Sequence, residues 1–165
     1  MTRKQALIIA LGTSLLAIAA AQPAVLSASR GSNVYKTYTN ARFSYSISYP
    51  ANLLIPQGEA ENGDGQTFRA QDGRAEMRVW GQNNINSETL RASFNRTVTQ
   101  WGDGVSYKVI KGDWFVVTAL VNGKIHYQKT MLRRGVFKTF LIEYDATKRA
   151  TYDPVASQVS KSFVG

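Results

Sequence analysis

The chain has 165 residues, with 20 Lys and Arg against 11 Asp and Glu, one His and no Cys. The absence of cysteine excludes a disulfide framework, thiolate metal sites and a lipidated N-terminal cysteine, and one histidine excludes the usual zinc sets. Leaving out Arg3 and Lys4 gives 18 basic and 11 acidic side chains, a net charge of +7; this favours acidic polysaccharide, phospholipid head groups or nucleic acid as partners, or serves solubility alone.

Residues 1–21 read as an export signal. Arg3 and Lys4 form a basic start, Leu7 to Ala20 is apolar, and Ala19-Ala20-Ala21 offers a small-residue cleavage site between Ala21 and Gln22. The apolar run is shorter than the roughly 20 residues of a spanning helix. Gly12, Thr13 and Ser14 also interrupt it, so cleavage is expected over retention as an anchor. Residues 22–39 hold Pro23, Gly31 and several serines without a period, and are expected as a flexible linker to a domain over 40–165.

Phe43 to Tyr49 alternates apolar residues with serine, which predicts a strand of an antiparallel sheet that Pro50 stops. "PANLLIPQGEAENGDGQ" is expected as a solvated connection. Thr67 to Ala70 and Ala75 to Gly81 predict a hairpin turning at Asp72-Gly73 with positive φ angles. Leu90, Phe94, Val98 and Trp101 form one helical stripe. Asn86 is its expected N-cap, and Ile85 with Leu90 its hydrophobic staple. Val105 to Ile110, Trp114 to Val121, Lys124 to Leu132 and Val136 to Tyr144 predict an antiparallel meander through short glycine-bearing links. A C-terminal helix is expected from Asp153-Pro154, with Val155, Val159 and Phe163 on one face. Runs of strands separated by helices predict an α+β domain, an antiparallel sheet of about six to seven strands with helices packed on it.

"FSYSISYP" resembles the F-x-I-x-YP opening of the PsbP-like family, and "VFKTFLIEYDATKRATYDPVASQVSKSF" resembles its ending. There a strand leads through a Tyr-anchored loop to a helix and a Ser-Phe pair, here Phe140 to Tyr144, Tyr152, Val155 to Val159 and Ser162-Phe163. The resemblance spans residues 40 to 164. It implies an α/β/α sandwich and binding, assembly or accessory work, as in the extrinsic photosystem subunit and the import factors of that family. It carries over no functional site.

His126 sits mid-strand in "KIHYQK" without a G-x-S-x-G elbow, and is read as a strand histidine. "EAENGDGQ", with Glu59, Glu61, Asn62 and Asp64, lacks the spacing and final glutamate of a calcium loop, and is read as a solvated turn. Glu143, inside "FLIEYD", is expected to pair with a neighbouring lysine. No residue set calls for a metal or cofactor. The basic cluster carries the candidate site: Lys129, Arg133, Arg134 and Lys138 are the anion-binding candidates on one hairpin, near Lys124, Lys148 and Arg149. Tyr107, Trp114 and Tyr127 would stack beside them; alternatively the aromatics are core and the charges guard strand edges. The expectation is an exported, non-enzymatic binding or accessory protein, periplasmic or secreted, with a protein partner in the envelope. The alternative is a binder of anionic polymer, polysaccharide or nucleic acid.

Overall fold

The alternation of apolar residues and serine becomes a strand with one buried side. In the computed structural model, which describes residues 32–165, it is β2 (Tyr45–Pro50), with Tyr45, Ile47 and Tyr49 buried. The expected export signal and the Ala21–Gln22 cleavage point lie outside the described residues. β2 pairs antiparallel with β1 (Tyr35–Asn40), so the linker expected over 22–39 contains a strand from Tyr35 onward. β1 shows no alternation that would mark it alone. Its partner supplies its hydrogen bonds, and Tyr38 lies edge-on to Tyr45 and Phe68 at 6.1 and 6.0 Å.

The other seven strands of the described residues are β3 (Ile55–Glu59), β4 (Gly65–Arg69), β5 (Ala75–Asn83), β6 (Val105–Lys111), β7 (Trp114–Val121), β8 (Lys124–Arg133) and β9 (Val136–Asp145). They form one sheet in the order β3-β4-β5-β9-β8-β7-β6, every neighbouring pair antiparallel. The expected meander is the β6 to β9 half. β3 falls in the expected solvated connection, and all five of its residues are exposed. Pro56 and Gly58 mask it in the sequence, and an edge strand is where a proline is tolerated. At the β4–β5 hairpin Gly73 alone has positive φ (+66°). Asp72 instead accepts the Arg74 N–H at 3.1 Å. The turns Asn122-Gly123 and Arg134-Gly135 each place two residues at positive φ, the geometry that matches strand twist in a two-residue hairpin.

One side of the sheet carries the main core. Phe68, Met77, Val79, Ile125, Met131, Phe140 and Ile142 pack against β2 and α2 (Arg149–Ser162), which contributes Tyr152, Val155, Ala156 and Val159. Each large side chain fully buried there contributes roughly 1.5–3 kcal/mol. Phe43 closes over Gly81, where an added Cβ would stand 2.3 Å from the Phe43 ring. The opposite side carries α1 (Leu90–Trp101), whose Phe94 meets Phe115 and Val117 of β7, with Leu90, Val98 and Trp101 alongside. α1 packs chiefly on β6 and β7, so this side of β9, β5 and β4 lies beyond it.

Both helix starts differ from expectation. Thr89, not Asn86, caps α1 through its Oγ1, which accepts the Ala92 N–H at 3.1 Å. Ile85 is 85% exposed and forms no staple. The reason lies in the loop: Asn84 accepts the Glu88 N–H at 2.9 Å and donates to the Glu88 carbonyl at 2.8 Å, which closes a turn before the helix begins. α2 starts at Arg149 after a 3-10 turn (Ala146–Lys148) capped by Asp145, so Pro154 lies inside it. Asp153 does not cap; it accepts the Tyr144 hydroxyl at 2.6 Å.

Gly81→Ala is expected to destabilise the fold by about 1–3 kcal/mol, because the Phe43 ring must shift; urea unfolding measures it. Burial holds the Tyr45 and Tyr144 hydroxyls protonated well above the ordinary tyrosine value of 10.0. Such groups stabilise the fold fully below the unfolded value and lose that contribution as pH rises through the folded one. Lys129 and Lys138, held below the ordinary 10.5 by burial, act in the opposite sense, but their effect is complete at that value. The urea midpoint is therefore expected to fall from about pH 10.5 upward, and less steeply in Tyr144→Phe.

Candidate functional site

The side of the sheet that α1 leaves open is built by alternation. Pairing places Glu76, Arg78, Trp80 and Gln82 of β5 opposite Glu143, Leu141, Thr139 and Phe137 of β9, and those opposite His126, Gln128, Thr130 and Leu132 of β8. The face divides along the strands into a charged end and a neutral end.

The charged end is a ladder in which Arg69, Glu76, Arg78 and Glu143 alternate in sign, with His126 beside its last member. Arg69 Nε lies 2.8 Å from Glu76, Arg78 lies 3.4 Å from Glu76 and 2.7 Å from Glu143, and His126 Nδ1 lies 2.9 Å from Glu143 Oε1. Glu143 thus pairs with Arg78 and His126, not with the expected lysine. His126 also packs on Trp101, with ring centroids 5.7 Å apart. It is a strand histidine held by a carboxylate and an indole, as the sequence suggests.

The neutral end is a cleft of about 230 Å³ between α1 and the sheet. Its floor holds the Thr130 and Thr139 hydroxyls, 2.9 Å apart. Gln128 Nε2 donates to Thr130 at 3.0 Å and to Thr97 at 3.4 Å, and Thr97 donates to the Ser93 carbonyl at 3.1 Å. Trp80 and Phe137 supply its apolar surface, and the Arg96–Glu88 ion pair stands at its rim. The Asn84 N–H donates to the Gly135 carbonyl at 2.8 Å, tying the rim loop to the β8–β9 turn. Among the described residues no three His, Asp or Glu side chains gather to hold a metal ion.

None of these cleft residues stands out in the sequence. The available signal was weak: Thr139 inside the apolar run "VFKTFLIEY", Gln128 and Thr130 two apart on a strand, and Ser93 with Thr97 one turn apart beside the helical stripe. Trp80 reads as one more strand aromatic until the register places it on the open side.

The expected anion site is not assembled as a free cluster. Lys129 donates to the Ser160 carbonyl at 2.7 Å and sits over the Trp114 and Phe163 rings at 5.7 and 6.0 Å. Lys138 is 6% exposed and donates to the Ser44 carbonyl at 3.1 Å. Burial first, and then repulsion from Arg133, push both ammonium groups below the usual lysine range. Arg133 binds Asp113 and the Gly165 carbonyl, and its hydrogen bond is the main cause holding the Asp113 carboxyl below its ordinary value. Only Arg134 of the four is exposed. The sheet separates the four because Lys129 and Lys138 point to the α2 side, while Arg134 occupies the turn. Tyr127 stacks on Phe140 with centroids 5.8 Å apart, and Trp114 packs on the main core; Tyr107 alone of the three expected stacking residues is largely exposed, at 56%.

No family model and no curated protein matches the chain. Among solved structures it is similar to the solution structure of cyanobacterial PsbP (CyanoP) from Synechocystis sp. PCC 6803, at 15% identity and a TM-score of 0.59. The match covers 87% of this chain and 99% of that one. The seven-stranded antiparallel sheet lies between α1 on one side and α2 with the β1–β2 pair on the other, and on these grounds the chain has the PsbP-like α+β fold.

Proposed function

We propose that the protein is an exported, non-enzymatic accessory protein of the bacterial envelope, which binds a protein partner across the charged end of its open sheet face. The alternating ladder Arg69, Glu76, Arg78 and Glu143 carries this reading. Charges of both signs held in a fixed order select a complementary folded surface and set its register. A uniform polyanion would meet Glu76 and Glu143 there at a cost. The export signal expected over residues 1–21 and the PsbP-like fold, met in a cyanobacterial PsbP, both support accessory work outside the cytoplasm.

The test is a pull-down from envelope extract with protein lacking its first 21 residues. A defined protein is expected to be retained, and Arg78→Glu is expected to weaken its capture about tenfold while the melting profile shows a folded domain. Equal capture by the wild type and Arg78→Glu, or capture of no protein, would overturn the reading. The anionic-polymer alternative rests on Arg134, the exposed member of the expected set. It calls for retention of nucleic acid or acidic polysaccharide that falls steeply with salt and is lost in Arg134→Asn. That variant is expected to be no less stable, since asparagine tolerates the positive φ of +50° at this turn better than arginine.

A further inference from the structure

We infer that the neutral cleft under α1 binds one ring of an uncharged saccharide, with the Trp80 indole as its stacking surface. This goes beyond the protein-partner reading and stands without it.

The first ground is composition. The interface between a helix and a sheet is ordinarily filled with apolar side chains, as it is under Phe94, Phe115 and Val117 of the same helix and sheet. A few residues away the same layer holds Ser93, Thr97, Gln128, Thr130 and Thr139. Ser93, Thr97, Thr130 and Thr139 are buried. Valine or leucine there would pack without the cost of taking hydroxyls and amides out of water. These groups are paired with one another, and the layer they line stays open as a cleft where its apolar neighbour is filled.

The second ground is the kind of polar group. Hydroxyls and amides both donate and accept, and so do the hydroxyls of a sugar. A sugar ring also presents an apolar C–H face, which an indole matches. No free charge lies on the floor, and the rim arginine is neutralised by Glu88, so a phosphate or carboxylate ligand finds no unpaired cation. The volume of about 230 Å³ lies below the roughly 300–1,000 Å³ of drug-sized sites and suits a single ring. Trp80 also lines a second groove, of about 450 Å³, formed with Gln57, Gly58, Gly65 and Thr67. A chain of sugar units entering the cleft would thus continue over the indole into that groove.

The third ground is preorganisation. The rim loop is closed on itself by Asn84 and tied to the β8–β9 turn. The floor hydroxyls are already fixed by one another. Little ordering is left for the ligand to impose.

The experiment is an NMR titration of protein lacking its first 21 residues with cellotriose, maltotriose and chitotriose in turn. At least one is expected to shift the Trp80 indole N–H and the Gln128 side-chain amide, with a dissociation constant of about 1 mM or tighter. Trp80→Ala is expected to abolish the shift of the Gln128 side-chain amide. Thr139→Val, which keeps the shape and removes one floor hydroxyl, is expected to weaken binding about tenfold. Glu143→Gln, in the ladder but outside both the cleft and the groove, is expected to leave the shifts in place, which separates this cleft from the protein-binding ladder. The inference is overturned if none of the three sugars moves those resonances at about 10 mM. It is equally overturned if the Gln128 shift persists in both Trp80→Ala and Thr139→Val, or if the shifts arise elsewhere on the domain.

Discussion

Strand β9 is paired along its whole length on both edges, to β5 on one side and β8 on the other. Its alternate residues serve two different layers. Phe140, Ile142 and Tyr144 point into the main core with α2 and β2, while Phe137, Thr139, Leu141 and Glu143 form the middle of the open face. A one-residue slip of this strand would send Glu143 and Thr139 into the core and phenylalanine to the surface. The pairing of β9 therefore fixes both what holds the domain together and what the domain presents. The β1–β2 pair and α2 rest on one consequence of that register, α1 and the cleft on the other.

The basic hairpin has a structural reading that its charge alone conceals. Lys129 reaches the Ser160 carbonyl in the last turn of α2, and Arg133 reaches the Gly165 carbonyl. The last carbonyls of a helix lack intrahelical donors and carry the negative end of its dipole, so cations are favoured there. Lys138 does the same for the Ser44 carbonyl in the turn between β1 and β2. Three cations of the sheet thus pin the peripheral elements to it. The desolvation that lowers the affinity of Lys129 and Lys138 for their protons is offset by these bonds and, for Lys129, by the two aromatic rings beneath it.

The open face, by contrast, keeps Glu76, Arg78, Gln82 and Glu143 at least partly exposed. Its two ends differ in chemistry because β5 and β9 change character along their length, from Glu76, Arg78 and Glu143 to Gln82, Thr139 and Phe137. Trp80 stands between them and borders both the cleft and the neighbouring groove. A short helix over one half of a wide sheet is what creates this arrangement. Twelve residues of α1 pack chiefly on β6 and β7, and the pairing order leaves β9 and β5 at its edge, where the cleft opens.

Local pattern was enough for most elements. The strand signal of Trp114 to Val121 coincides with β7, the apolar stripe from Leu90 to Trp101 with α1, and the glycine-bearing links with the hairpins of the meander. These are set by period and turn chemistry, which act between near neighbours in the chain. β1 and β3 were illegible because each is held by a partner strand and not by its own alternation. The C-terminal helix begins at Arg149, ahead of the Asp153-Pro154 pair, because the Asp145 cap starts its approach. The site depended on longer range still. Sequence alone determined an α+β chain with an excess of basic residues and no cysteine. Only the tertiary structure decided that Lys129 and Lys138 turn inward while Arg133 pairs with Asp113, and that Trp80, Gln128, Thr130 and Thr139 meet in one cleft. Which face a side chain takes follows from register across β5, β9 and β8, and that register is decided by packing between residues far apart in the chain.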